Sequence, residues 1–216
     1  MKGIFLDIET NGLDPYIHSP LEICVVICDL LNMNRITEYT SLINCSEKNW
    51  ILKSDPKALR INGITTKEVF NAKTTDQVCD ELKKIFIENK IDKTNSIFIC
   101  QNPSFDRAFF DQIMSVEIQQ QLELPYHWLD LASMFFTINF PKYNYLSSHY
   151  TLCKDFIGIT LGIPPEETPH RATGGVNHLI SCYSGLLDNY RKPMKRIMIL
   201  FLLVIIIIIL LLVNMM

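Results

Sequence analysis

Apolar positions follow two rhythms along this chain, and the change from one to the other marks out its elements. Ile4, Phe5, Leu6 and Ile8 form a β-prone run that stops at Asn11-Gly12, so residues 2–14 are expected to open on a buried strand. Residues 21–31 are almost continuously apolar, and in residues 35–43 polar and apolar positions alternate. These two runs suit a central strand and an edge-ward strand joined by short turns, an antiparallel opening to a sheet. Residues 56–62 and 65–70 read as short helical pieces around Asn62-Gly63. From residue 75 to 89 the spacing switches to that of a helix, with Val78, Leu82, Ile85 and Phe86 on one face. Residues 96–101 return to strand character. Asn102-Pro103 then breaks that strand and opens a helix carrying Phe105, Phe109, Phe110 and Ile113 along one side. A short strand at residues 127–131 and helices near 131–140, 150–161 and 173–190 complete the pattern. Three strands followed by alternating helix and strand predict an α/β layer fold on a mixed sheet, and the chain shows no internal repeat.

Composition narrows the class. Of the 216 residues 48% are hydrophobic, a figure raised by one C-terminal tract, so residues 1–190 are expected to form one globular domain with a full core. A net charge of −3 argues against coating nucleic acid by charge alone, and any such contact should be local. Seven cysteines, Cys24, Cys28, Cys45, Cys79, Cys100, Cys153 and Cys182, lie scattered and mostly within apolar runs. They predict buried thiols in a reducing compartment, without zinc spacing or a disulfide framework. Met1-Lys2 leads straight into the first strand, so no N-terminal signal peptide is expected.

Candidate chemistry gathers at three places. Asp7 and Glu9 stand two residues apart in the first strand, so both carboxylates leave the same face. Two acids so close repel, and burying them unpaired costs several kcal/mol or forces protonation, which bound cations relieve. Asn102 to Asp106 sit where a strand becomes a helix. In open α/β sheets, ligands collect outside the carboxyl ends of strands, which would bring Asp106 to Asp7 and Glu9; by itself, Asp106 is equally a first-turn acid favoured by the helix dipole. His170 lies in a loop before the final helix, and its meaning depends on whether the carboxylates form a metal site.

These segments, in this order, resemble the DnaQ-like 3′-to-5′ exonucleases of the DEDDh type. The matching pieces are D-I-E-T-N-G-L-D-P at Asp7 to Pro15, P-L-E-I from Pro20, A-L-R-I-N-G-I-T at Ala58 to Thr65, and N-P-S-F-D at Asn102 to Asp106. W-L-D-L from Trp128, Y-T-L-C-K-D-F-I-G-I from Tyr150, and P-H-R-A at Pro169 to Ala172 complete the set. The resemblance implies a ribonuclease H-like mixed β-sheet flanked by helices, two divalent ions (Mg²⁺ or Mn²⁺), and removal of nucleotides from nucleic-acid 3′ ends, DNA ahead of RNA, with a polymerase subunit as a partner. It further implies that Asp7 bridges both ions, Glu9 holds the ion on the nucleophile side and Asp106 the one on the leaving-group side, while His170 takes the proton from the attacking water. Thr10, Leu13, Asn62 and Ile64 resemble the positions that cradle the terminal nucleotide. Asn102, in the N-P-S-F-D piece, is implied as a further substrate-binding residue, as is Phe105, which is either a stacking neighbour of that nucleotide or a core aromatic.

Two features depart from the family pattern. Its fourth acid falls five residues after the histidine, where this chain has Gly175; Asn177, two residues on, would be turned roughly 200° away on a helix. The chain is therefore an active exonuclease, a weakened or inactive relative that binds nucleic-acid ends, or a non-enzymatic scaffold whose main role is at a membrane. On this reading Gly175→Asp should raise activity or metal affinity, unless Glu166 or Glu167 already fills the gap. The second departure is the tract at residues 197–213, seventeen consecutive apolar residues after Arg191, Lys192, Lys195 and Arg196. As a helix it spans about 26 Å, near the thickness of a thin bilayer core. Residues 191–196 then read as a basic linker and residues 197–213 as a C-terminal transmembrane helix, a tail anchor keeping the exonuclease domain in the cytoplasm; the competing reading is an aberrant apolar end on a soluble enzyme.

Overall fold

The computed structural model describes residues 1–139 and 151–214, with side chains in the last helix described as far as Tyr190 and again at Phe201, Leu203 and Ile205. Strands β1 (Lys2–Thr10), β2 (Pro20–Asp29) and β3 (Arg35–Leu42) are antiparallel neighbours, as their apolar patterns predict. Helices α1 (Glu47–Lys53), α2 (Pro56–Asn62), α3 (Thr66–Phe70) and α4 (Thr75–Glu88) lead to β4 (Ser96–Cys100), which runs parallel to β1. Then come α5 (Pro103–Ile113), α6 (Val116–Gln121), β5 (Trp128–Asp130), α7 (Leu131–Asn139), α8 (Lys154–Thr160) and α9 (Ala172–Asn214). The mixed sheet has the order β3-β2-β1-β4-β5.

The period-2 alternation of β1 sends its residues into two different layers. Ile4, Leu6 and Ile8 join a core with Val78, Leu82 and Phe86 of α4 and Phe109, Phe110 and Ile113 of α5. Phe5 joins the opposite core, with Leu131 and Phe135 of α7, Ile157 of α8 and Val176, Leu179 and Tyr183 of α9. Asp7 and Glu9 continue the Phe5 face, so the strand hands its acids to the side covered by α9. Phe98 on β4 stacks on Trp128 of β5 with ring centroids 4.1 Å apart, tying the sheet's parallel half together.

Three sequence expectations need adjustment. Helices α1 and α6 were not expected: α1 buries only Trp50 and α6 buries nothing, so neither carries an apolar stripe. The helix expected at 150–161 begins at Lys154; its expected first residue, Tyr150, lies outside the described residues, as does Phe140 at the expected end of α7. Helix α9 runs without a break through residues 191–196, where a boundary was expected at Pro193. Pro193 removes one backbone donor there without ending the helix. Among the described residues no helix is long and apolar enough to cross a membrane; most side chains of the 197–213 tract lie outside them.

Candidate active site

The carboxyl ends of the parallel strands β1 and β4 point to one edge of the sheet, and a cleft of about 250 Å³ opens there. Asp7, Glu9, Asp106 and His170 all line it, together with Ile8, Gln101, Phe105, Cys153, Lys154, Asp155 and Glu166. Asp106 arrives through a left-handed residue: Asn102, at φ +59°, turns the chain from β4 into α5, a conformation asparagine tolerates better than most side chains. The Asn102 amide is held by Asp130 Oδ1 at 3.0 Å, and Pro103 at the start of the helix needs no donor. Asp106 is then buried in the first turn, its carboxylate receiving the backbone N–H of Ile8.

His170 is placed from two sides. Its own N–H donates to the Ile61 carbonyl at 2.9 Å, tying the loop to the end of α2. Next to it, Arg171 donates Nε and Nη2 to the Glu22 carboxylate at 2.9 and 2.8 Å, and the Ala172 N–H donates to the same carboxylate at 2.9 Å. Glu22 on β2 thus satisfies one orphan donor at the start of α9 while its charge sits at the helix's positive end. Glu22 was quoted in a motif but given no role. Its signal was a charge inside the otherwise apolar run L-E-I-C-V-V-I-C, which burial requires to be paired.

Electrostatics inside the cleft favour bound positive charge. Burial, followed by repulsion from Asp7 and Glu166, pushes the Glu9 carboxyl up to about 8. Burial also raises Asp7, although Lys154 pulls it down, and raises Asp106 well above the usual carboxylate range, with Asp7 adding to the effect. Lys154 is held above the ordinary lysine range: burial opposes its charge, but the Asp7 and Glu166 carboxylates together outweigh that. Its ammonium lies 2.7 Å from Glu166 Oε2 and 3.4 Å from Asp7 Oδ1. Lys154 stands within a quoted motif, yet nothing in its spacing pointed to the cleft.

Of the two acids expected as replacements for the missing Asp, the structure puts Glu166 in the cleft and leaves Glu167 exposed. The Glu166 side chain is 2% exposed, with Oε2 paired to the Lys154 ammonium and Oε1 3.7 Å from His170 Nδ1 without a hydrogen bond. Its loop is anchored by its own N–H to Asp155 Oδ1 at 3.1 Å and by His178 Nε2 to the Pro164 carbonyl at 2.9 Å. Glu9, Glu166 and His170 each offer one ligand atom, all within 4.8 Å of one another. Hard carboxylate oxygens with one imidazole, and a buried carboxylate oxygen, Glu166 Oε1, left without a hydrogen bond, fit a divalent cation.

Gly175 faces the site, and a Cβ there would fall 2.2 Å from Asp7 Oδ2, so Gly175→Asp requires the Asp7 carboxylate to shift. Asn177 turns away, its amide oxygen accepting from Arg35 on β3.

The expected nucleotide cradle is divided. Thr10, Asn62 and Ile64 are buried with internal partners: the Asn62 amide donates to the Thr10 carbonyl at 2.9 Å and accepts the Ile64 N–H at 3.0 Å, and Ile64 packs with Leu21, Trp50 and Val69. These residues brace the end of β1 against the α2–α3 corner. Leu13 is 74% exposed beside the cleft's entrance strand, Phe105 lines the cleft while also packing on the core, and Asn102 is exposed outside it. Cys153 corrects the expectation of buried thiols: the other six are buried, but Cys153 is exposed at the cleft because it caps the start of α8.

A mixed five-stranded sheet flanked by helices, with acids at its carboxyl edge, defines the ribonuclease H-like exonuclease fold. The sequence model of the RNase T family, described as an exonuclease, matches residues 4–152, and the chain belongs to that family. Escherichia coli Exonuclease I in complex with a dT13 oligonucleotide is similar at a TM-score of 0.69 and 17% identity, covering 90% of this chain and 42% of that one. The zinc-bound form of the E. coli Exonuclease I–ssDNA complex gives 0.67 and 17% over 89% and 41%. Cell-death related nuclease 4 gives 0.68 and 12% over 87% and 64%. This chain therefore spans less than half of Exonuclease I, and at such identities the likeness is one of fold. No curated protein matches the chain by sequence alone.

Proposed function

We propose that the chain is a divalent-metal-dependent 3′-to-5′ exonuclease acting on single-stranded nucleic-acid ends, DNA ahead of RNA. The observation that carries this reading is the convergence of Asp7, Glu9, Asp106, Glu166 and His170 in one cleft, in a member of an exonuclease family. Exonuclease I is seen with single-stranded DNA, which supports the choice of substrate. Glu9, Glu166 and His170, with Asp7 and Asp106 beside them, would hold Mg²⁺ or Mn²⁺. Such ions stabilise charge on the attacking and leaving oxygens of a phosphodiester and activate the attacking water. His170, at the rim of the same cleft, would take the proton of that water. Leu13 and Phe105 offer apolar surface to the terminal base.

A second reading, a weakened exonuclease that mainly binds nucleic-acid ends, is favoured by Gly175 in place of an acid and by the ammonium of Lys154 within the carboxylate cluster. A polymerase partner rests on the family likeness alone. A cytoplasmic domain tethered to a membrane rests on the basic flank and the 197–213 tract, and on Phe201, Leu203 and Ile205 being exposed along α9.

The test is degradation of matched DNA and RNA single strands labelled at either end. Loss of single nucleotides from the 3′ end, faster on DNA, is expected. Trimming from the 5′ end, or stable binding without trimming, would overturn the active reading.

A further inference from the structure

The acid missing at position 175 leaves a gap that the Asp7 carboxylate fills, and a cation of the chain itself lies against that carboxylate. Lys154 begins α8, where the helix dipole disfavours positive charge, and its side chain is 15% exposed, so neither position nor solvent explains it. What surrounds it does. Its ammonium has three hydrogens and three oxygens nearby: Glu166 Oε2 at 2.7 Å, Asp7 Oδ1 at 3.4 Å and the Gly175 carbonyl at 3.4 Å. Because residue 175 has no side chain, Asp7 Oδ2 sits where a Cβ would be. On the far side of the Glu166 carboxylate, Oε1 turns towards His170, within the group formed with Glu9.

We propose that Lys154 is a built-in cation that holds Asp7 and Glu166 in place of a second metal ion, so that the chain takes one divalent ion, on Glu9, Glu166 and His170, where the family resemblance implies two. This rests on the metal-dependent exonuclease reading above. A second divalent ion on Asp7, shared with Asp106 or with Glu166, would lie close to the ammonium 3.4 Å from Asp7 Oδ1, and like charges so near each other in a buried site repel strongly. Glu166, arriving from the loop before His170, supplies the carboxylate that position 175 lacks and shares it between the lysine and the ion.

The test counts Mn²⁺ bound to the full-length chain by titration calorimetry and by electron paramagnetic resonance, alongside thermal melting with and without the ion. Wild type is expected to bind one Mn²⁺ per chain. Lys154→Met, of similar length but uncharged, should bind two, melt lower without metal, and recover more on adding Mn²⁺ than wild type does. Two ions in wild type, or a folded Lys154→Met that still binds one with unchanged affinity, would overturn the role of the lysine while leaving the metal-dependent reading intact. No Mn²⁺ bound by wild type would overturn both. If Lys154→Met does not fold, the wild-type count decides: one ion supports the proposal and two contradict it.

Discussion

Glu9 sets the pH behaviour of the metal-free site. Its carboxyl titrates near 4.5 when unperturbed, and burial with repulsion from Asp7 and Glu166 moves it to about 8 in the folded chain. Below about 4.5 it is protonated in both folded and unfolded states. Between about 4.5 and about 8 the folded chain keeps a proton that the unfolded chain releases, so stability falls as pH rises through that window and levels off above it. Raised Asp7 and Asp106 act in the same direction. Without metal, the melting temperature should therefore fall from pH 5 to pH 8, less steeply in Glu9→Gln, and saturating Mg²⁺ should flatten the profile because the ion replaces the proton. A Glu9→Gln profile parallel to wild type would contradict this assignment. At this scale Asp7, Glu9, Asp106 and His170 were legible because chemistry demands such residues in those motifs, and Glu166 was legible as one of two alternatives. Lys154 was not: a lysine beside an aspartate at the start of a helical segment looks like any solvated residue until the fold brings Asp7, nearly 150 positions earlier, against it.

Among the elements, the start of α9 holds the site to the sheet. Arg171 forks onto Glu22, makes a weaker contact to Glu68 at 3.3 Å, and the Ala172 N–H completes the cap. Arg171→Ala would strand a buried carboxylate. Breaking a fully buried pair costs several kcal/mol, but Arg171 is about one-third exposed, so the expected loss is about 2 kcal/mol. Urea unfolding should show that loss, with activity falling because His170 precedes Arg171 in the same turn of chain; Arg171→Lys should recover part of the stability. An Arg171→Ala variant as stable and active as wild type would remove the cap from the account. The long elements were legible from periodicity: β1 to β3, α4, β4 and α5 match their apolar patterns within a residue or two. Helix α8 starts only at Lys154, with no side-chain cap at Cys153 to mark it in the sequence, and α1 and α6 were hidden because one buried Trp50, or no buried residue at all, gives no stripe to read. Ser46 and Ser115, whose hydroxyls cap those two helices, were the available signals.

For the whole molecule, α9 joins the catalytic layer to the apolar C-terminal tract in one helix of 43 residues, on the order of 65 Å long. Its first half is legible as the domain's last packing layer; its far half departs from a globular pattern, since Phe201 is exposed and its neighbours are uniformly Ile and Leu. If this half anchors the chain, the full-length protein should pellet with membranes, resist high salt and be released by detergent, whereas a basic flank alone gives salt-sensitive association. Recovery of the full chain as a monodisperse soluble species would contradict the anchor. The central claim, that buried carboxylates hold a divalent ion which makes the cleft an exonuclease, is tested most directly by the end-labelled assay run with Mg²⁺, with EDTA, and with Asp7→Ala. The account predicts 3′ trimming by wild type in Mg²⁺, none in EDTA, restoration on adding back Mg²⁺, and at least a 100-fold loss in a folded Asp7→Ala. Trimming that persists in EDTA and in Asp7→Ala would contradict it.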